Sequence, residues 1–146
     1  MVIIKIYPKL IGTWFPPGVG WDIRRIQSLA KLVKSKGWND IPKVPVYELP
    51  NALKTEQEYL LADGHKRRFV AENFNIQLPC AVYLPGEIIQ PKKDNLGPFE
   101  FLGNPNGSEH YVQVLELYKN PAIIERWIQS HGKTKWDEKH VKNLFL

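Results

Sequence analysis

The stretch Tyr59-Leu60-Leu61-Ala62 is an apolar run of strand length that ends at Asp63-Gly64 and passes at once into a helical pattern carried by Phe69, Val70 and Phe74. The strand thus turns directly into a helix across these two residues. The neighbouring segments supply the rest of a sheet. Residues 1–7 read as a strand because Val2, Ile3, Ile4 and Ile6 are β-branched and Pro8 stops the run. Residues 11–15 form a second short extended piece, followed by the loop Pro16-Pro17-Gly18-Val19-Gly20. Asp22 is placed to cap a helix that ends at Gly37, with Ile23, Ile26, Leu29, Ala30 and Val33 on one face and Arg24, Arg25, Lys31 and Lys34 elsewhere. Strands are expected again around Val44 to Tyr47 and over residues 78–84.

The order strand, helix, strand, strand, helix, strand predicts an α+β fold, a small mixed sheet with flanking helices, over residues 1–90. Residues 91–108 are rich in Pro, Gly and Asn and read as a connection. Residues 109–146 read as a helical extension packed on the core. Tyr111, Val114, Leu115 and Tyr118 keep a helical spacing, and Asn120-Pro121 restarts a helix whose Ile123, Ile124, Trp127 and Ile128 are expected to face inward.

Composition bounds the function classes. A chain of 146 residues with 43% hydrophobic and 24% charged residues suits one domain with one modest core and argues against wholesale disorder. No apolar run approaches the roughly 20 residues that span a bilayer, and the opening residues lack a signal-peptide pattern, so a cytoplasmic protein without membrane association is expected. The single Cys80 can make neither an internal disulfide nor a Cys-based metal site, and its apolar strand suggests a packed, inert thiol. His65, His110, His131 and His140 show no metal-ligand spacing. The net charge of +5 favours anionic partners.

The chemistry concentrates at residues 63–68. The first turn of a helix exposes unpaired backbone N–H groups and suits an anion, yet here it carries His65, Lys66, Arg67 and Arg68. Cations at that end oppose the helix dipole by a few tenths of a kcal/mol to about one each. Four in a row imply that something negative belongs there, with phosphate as the natural candidate; the alternative is that they project into solvent or pair with Glu56, Glu58 or Glu72, with Asp63 serving only as the helix cap. Gly64, His65, Lys66, Arg67 and Arg68 are therefore the expected phosphate-binding or nucleotide-binding residues. Asp63 and His65 are the first candidates for general base, and Asp63 for holding a metal ion that bridges phosphates.

The sequence Asp63-Gly64-His65-Lys66-Arg67 resembles the D-G-H-x-R box of the ParB/sulfiredoxin-like superfamily. Its surroundings are similar too: the upstream Lys36-Gly37, the Ile41-Pro42-Lys43-Val44-Pro45-Val46 strand and the closing Leu78-Pro79-Cys80-Ala81-Val82 strand. The resemblance covers residues 20–84. It implies a ParB/sulfiredoxin-like fold and a nucleoside triphosphate with Mg²⁺ bound at the box, since partition proteins of this superfamily use CTP, sulfiredoxins use ATP and some relatives are free-serine kinases. Gly64 would let the backbone approach a phosphate, and Arg67 would be the phosphate-binding arginine. Phosphoryl transfer, or hydrolysis of a nucleotide or phosphodiester, is the reaction class implied. Sulfinic acid reduction is not, because His65 stands where sulfiredoxins carry their reactive Cys. The upstream segment of partition proteins and their downstream helix-turn-helix have no clear counterpart, which leaves a small stand-alone member. An alternative reading is a nucleic-acid-binding module or nuclease in which the same cluster, with Lys133, Lys135, Lys139 and Lys142, holds backbone phosphates.

Overall fold

Both faces of the central strands are covered by helices, which is why those strands read as nearly unbroken apolar runs instead of alternating ones. The computed structural model describes residues 1–97, 109–131 and 138–145. Five strands, β1 (Val2–Ile6), β2 (Ile11–Gly12), β3 (Val44–Glu48), β4 (Tyr59–Leu61) and β5 (Leu78–Tyr83), form one mixed sheet in the order β1-β5-β3-β4-β2. β3 lies at its centre, parallel to β5 and antiparallel to β4. β1 closes one edge antiparallel to β5, and β2 closes the other parallel to β4. The α+β class expected from the sequence is the one observed, with helices α1 (Ile23–Lys36), α2 (His65–Phe74), α3 (Glu109–Lys119), α4 (Pro121–His131) and α5 (Glu138–Asn143). No helix among the described residues is long and apolar enough to cross a membrane.

On one face, Val44, Val46, Leu61, Leu78 and Cys80 pack against Ala71 of α2. Behind α2 lies α1, whose Ile26 and Val33 meet Val70. The α1 boundaries follow their sequence signals: Asp22 Oδ1 accepts the Arg24 N–H at 3.0 Å, a cap worth about 1 kcal/mol, and Gly37 closes the helix at φ +67°. On the other face, Tyr47, Leu60, Ala62, Ala81 and Tyr83 pack against Tyr111 and Val114 of α3. The Tyr118 ring of α3 comes so close to β2 that a Cβ at Gly12 would lie 2.6 Å from it, so only glycine fits there.

Two expectations need correcting. The extended piece over residues 11–15 is a strand only at Ile11–Gly12, since Trp14 leaves the sheet line to donate its indole N–H to Leu61 O at 2.7 Å. Of the four α4 residues expected to face inward, Ile124 and Ile128 are half-buried, but Ile123 is 36% and Trp127 46% exposed. α4 follows α3 on the outside of the fold, and helical spacing reports that a stripe exists without reporting that anything covers it. Cys80 does pack as expected, fully buried in β5, where burial pushes its thiol up to about 12.

A buried polar pair joins α3 to the sheet. The Tyr47 hydroxyl of β3 lies 2.8 Å from His110 Nδ1, and both side chains are almost fully buried. Removing the Tyr47 hydroxyl deletes a buried hydrogen bond, which costs about 1 kcal/mol. Tyr47→Phe is therefore expected to lower the unfolding free energy by about that amount, with an unchanged slope against urea concentration.

Candidate functional site

The candidate site is the turn from β4 into α2. After Leu61 the chain passes through Ala62 and Asp63 to Gly64, which takes φ +95° and ψ +33°. A Cβ at this position would stand 3.1 Å from Val44 Cγ1 and 3.2 Å from Arg67 Nη2, so both the backbone angle and the space demand glycine. Asp63 Oδ1 accepts the Gly64 N–H at 2.8 Å and pins the turn from inside. α2 then starts at His65 with no side chain capping its first turn and no acidic residue in it.

Of the five residues expected to bind phosphate, Gly64 shapes the turn, and the four side chains that follow it have four different fates. Arg67 turns inward and its Nη1 donates to three backbone carbonyls: Pro42 at 2.8 Å, Lys43 at 3.1 Å and Leu96 at 3.2 Å. Burial pushes its pKa down, and the nearby Asp63 carboxylate opposes that shift. Arg68 reaches in the opposite direction. Its Nε donates to Ile11 O at 3.0 Å, its Nη2 to Pro8 O at 2.8 Å, and its Nη1 pairs with Glu72 Oε2 at 2.8 Å across one helical turn. The negative partners implied by these two cations are thus carbonyl oxygens and a carboxylate of the chain itself.

His65 brings no positive charge either. Its ring meets Trp14 edge-on, with centroids 4.6 Å apart at 88°, and Phe15 at 6.2 Å. Its Nε2 is sealed from solvent without a hydrogen-bond partner among the described residues. Burial, reinforced by the Arg68 charge, pushes its pKa down to about 3. The imidazole is neutral at physiological pH. Of the three Lys and Arg side chains in the run, Lys66, half-buried at the second position of α2, is the one that makes no hydrogen bond or ion pair with the described residues.

An aromatic wall stands beside the turn. Trp14 is held by its bond to Leu61 O, Phe15 packs edge-on to Trp14 at 6.3 Å, and Trp127 of α4 meets Phe15 at 5.9 Å. The site residues expected from the sequence include neither Trp14 nor Phe15. The available signal was the adjacent pair of aromatics immediately before Pro16-Pro17, where an extended chain is about to leave the sheet.

Other candidates fall elsewhere. Asp63 is the acidic residue of the turn, and no group of three or more His, Cys, Asp or Glu among the described residues is arranged to hold a metal ion. Lys133 and Lys135 lie outside the described residues, as does the side chain of Lys139; Lys142 is exposed on α5.

Compared with known proteins, the chain matches no family model, and no curated protein matches its sequence.

Two outcomes follow from this geometry. Arg67→Ala leaves three carbonyls without their donor and is expected to destabilise the fold by on the order of 3 kcal/mol. Arg67→Lys keeps the charge but not the planar fork and should recover only part of that loss; chemical denaturation of the three proteins measures both. The second outcome concerns acid. His65 in the fold titrates near 3 and His110 near 4, both depressed chiefly by burial, against 6.5 in an open chain. Below pH 6.5 the unfolded chain takes up protons that the folded one refuses, so stability falls as pH drops from 6.5 toward 3. Melting temperature should decline over that window, and His65→Phe, which retains the ring contacts but cannot titrate, should flatten the decline.

Proposed function

We propose that the turn into α2 binds the phosphate of a nucleotide or a similar phosphorylated ligand. The observation that carries this reading is the first turn of α2, which has neither a side-chain cap nor an acidic residue and carries Lys66 as its uncommitted cation. Helix N–H groups and a lysine ammonium together provide directional donors and a point charge for a phosphoryl group. Gly64 supplies the left-handed backbone that turns β4 into α2 and presents the helix N-terminus.

The two arginines support the ligand indirectly in this reading. By clasping the carbonyls around the turn they hold α2 in place, and Lys66 with the backbone N–H groups makes the contact. The rings of Trp14, Phe15 and Trp127 stand edge to face beside the turn, and a base ring would stack on the face of one of them in this reading. Mg²⁺ accompanying a nucleoside triphosphate would be shared between the phosphates and Asp63, one of whose oxygens is already taken by Gly64. Phosphoryl transfer or hydrolysis at this turn would fall to Asp63 as base, because burial makes His65 a poor proton acceptor and seals its Nε2 away. The order of elements around the box is also the order expected of a ParB/sulfiredoxin-like domain, and that resemblance supports the same class of ligand.

A thermal-shift series with ATP, CTP and GTP, each with and without Mg²⁺, tests this. Ligand at about a hundred times its dissociation constant adds roughly 2.7 kcal/mol. The shift should vanish in Lys66→Glu, whose ligand-free melting temperature should stay close to that of the parent. No shift with any nucleotide, or a full shift retained in Lys66→Glu, would overturn the reading.

A further inference from the structure

Helix α1 carries Arg24, Arg25, Lys31, Lys34 and Lys36 and not one Asp or Glu. The chain holds 20 Lys and Arg against 15 Asp and Glu. Outside α1, the remaining fifteen basic residues are matched in number by the fifteen acidic ones. The whole formal excess of +5 therefore sits on a single helix of 14 residues. Ile26, Ala30 and Val33 bury its inner face, and the basic residues fall on the outer one.

Within that outer face, Arg24, Gln27, Lys31 and Lys34 follow an i, i+3, i+7, i+10 spacing and form one stripe. At 1.5 Å rise per residue the stripe is about 15 Å long. Arg24, Lys31 and Lys34 are exposed. Asp22 pairs with Arg24 at 3.0 Å, but the arginine side chain is 83% exposed, so the pair is a weak competitor for a polyanion. Beside the stripe runs a shallow cavity of about 260 Å³, lined by Gln27, Ala30, Lys31 and Lys34 of α1 and by Asn143 and Leu144 at the end of α5. A ligand group entering it would meet lysines from one wall and an amide from the other.

We infer that the outer face of α1, with the adjoining end of α5, docks on the phosphate backbone of a nucleic-acid duplex. The side chains select this occupant. A membrane surface is held by apolar side chains inserted beneath the headgroups, and none of the exposed large hydrophobic residues of the described chain lies on α1. A single strand is held by stacking of its bases on aromatic rings, and α1 contains no aromatic residue. A duplex backbone asks for Lys and Arg charge with amide and hydroxyl donors beside it, which is what Arg24, Lys31, Lys34, Gln27 and Ser28 supply. The inference uses none of the residues at the Gly64 turn and stands or falls independently of the nucleotide reading.

The test is fluorescence anisotropy of a short mixed-sequence DNA duplex titrated with the full chain at several salt concentrations. Three stripe cations on three phosphates give a slope of log K against log salt of about −2.7. Lys31→Ala/Lys34→Ala should make that slope shallower by about 1.8, and both positions are exposed on a helix, where Ala is well tolerated. If that pair fails to fold, Lys31→Gln/Lys34→Gln tests the same point. The control is Lys92→Ala/Lys93→Ala, which removes the same charge from exposed positions outside α1 and should leave the slope unchanged. A slope near zero, an equal loss in the charge-matched control, or tighter binding to a single strand, to phosphatidylserine vesicles or to polyglutamate would each overturn the inference.

Discussion

Two adjacent arginines hold the middle of this molecule together. Arg67 and Arg68 sit side by side near the start of α2, and between them they donate to five backbone carbonyls. Those carbonyls belong to the segment entering β3, to the connection after β5 and to the two sides of the short turn between β1 and β2. Irregular segments packed against a sheet carry carbonyls that no ladder can satisfy, and each left unmet would cost as much as a lost hydrogen bond. A guanidinium answers several at once, because its donors are fixed in a plane and point in different directions. The charge survives burial through these dipoles and through the Asp63 carboxylate close to Arg67.

This arrangement changes how a run of cations should be read. His65, Lys66, Arg67 and Arg68 look alike in a charge count, yet burial neutralises the first and carbonyls engage the last two. The electrostatic character of the turn thus reduces to one lysine and the backbone of a helix end. On α1 the opposite holds: its cations lie on the exposed side of a helix whose inner face is fully occupied by core contacts. The same residue types serve as internal fasteners in one helix and as a surface field in the other. Only the neighbours decide which.

Local chemistry was legible in the sequence wherever the cause was local. Asp22 capping α1, Gly37 ending it and Asp63-Gly64 joining a strand to a helix are each settled within a few residues, and each stands where the sequence placed it. The same short-range signals place a small mixed sheet with flanking helices, but the strand order β1-β5-β3-β4-β2 rests on pairings far apart along the chain. What the sequence hid depends on partners far along the chain. Arg67 finds its acceptors 24 to 29 residues away, and Arg68 finds backbone acceptors 57 and 60 residues away. Trp14 becomes part of the site through a carbonyl 47 residues distant. The partial exposure of the α4 stripe was illegible for a related reason: periodicity describes one surface, whereas burial takes two.

Cys80 turns this architecture into an instrument. Its strand is paired on both sides, opposite Ile4 of β1 and Val44 of β3, and its thiol donates to the Leu78 carbonyl at 3.2 Å. With the thiol pushed up to about 12 and no surface of its own, it is closed to alkylating reagents as long as β5 stays in place. Since the chain has no second cysteine, every covalent label taken up under native conditions records one event, the parting of the strands at the centre of the sheet. The rate of labelling is a clock for sheet opening, built into the chain without any engineering.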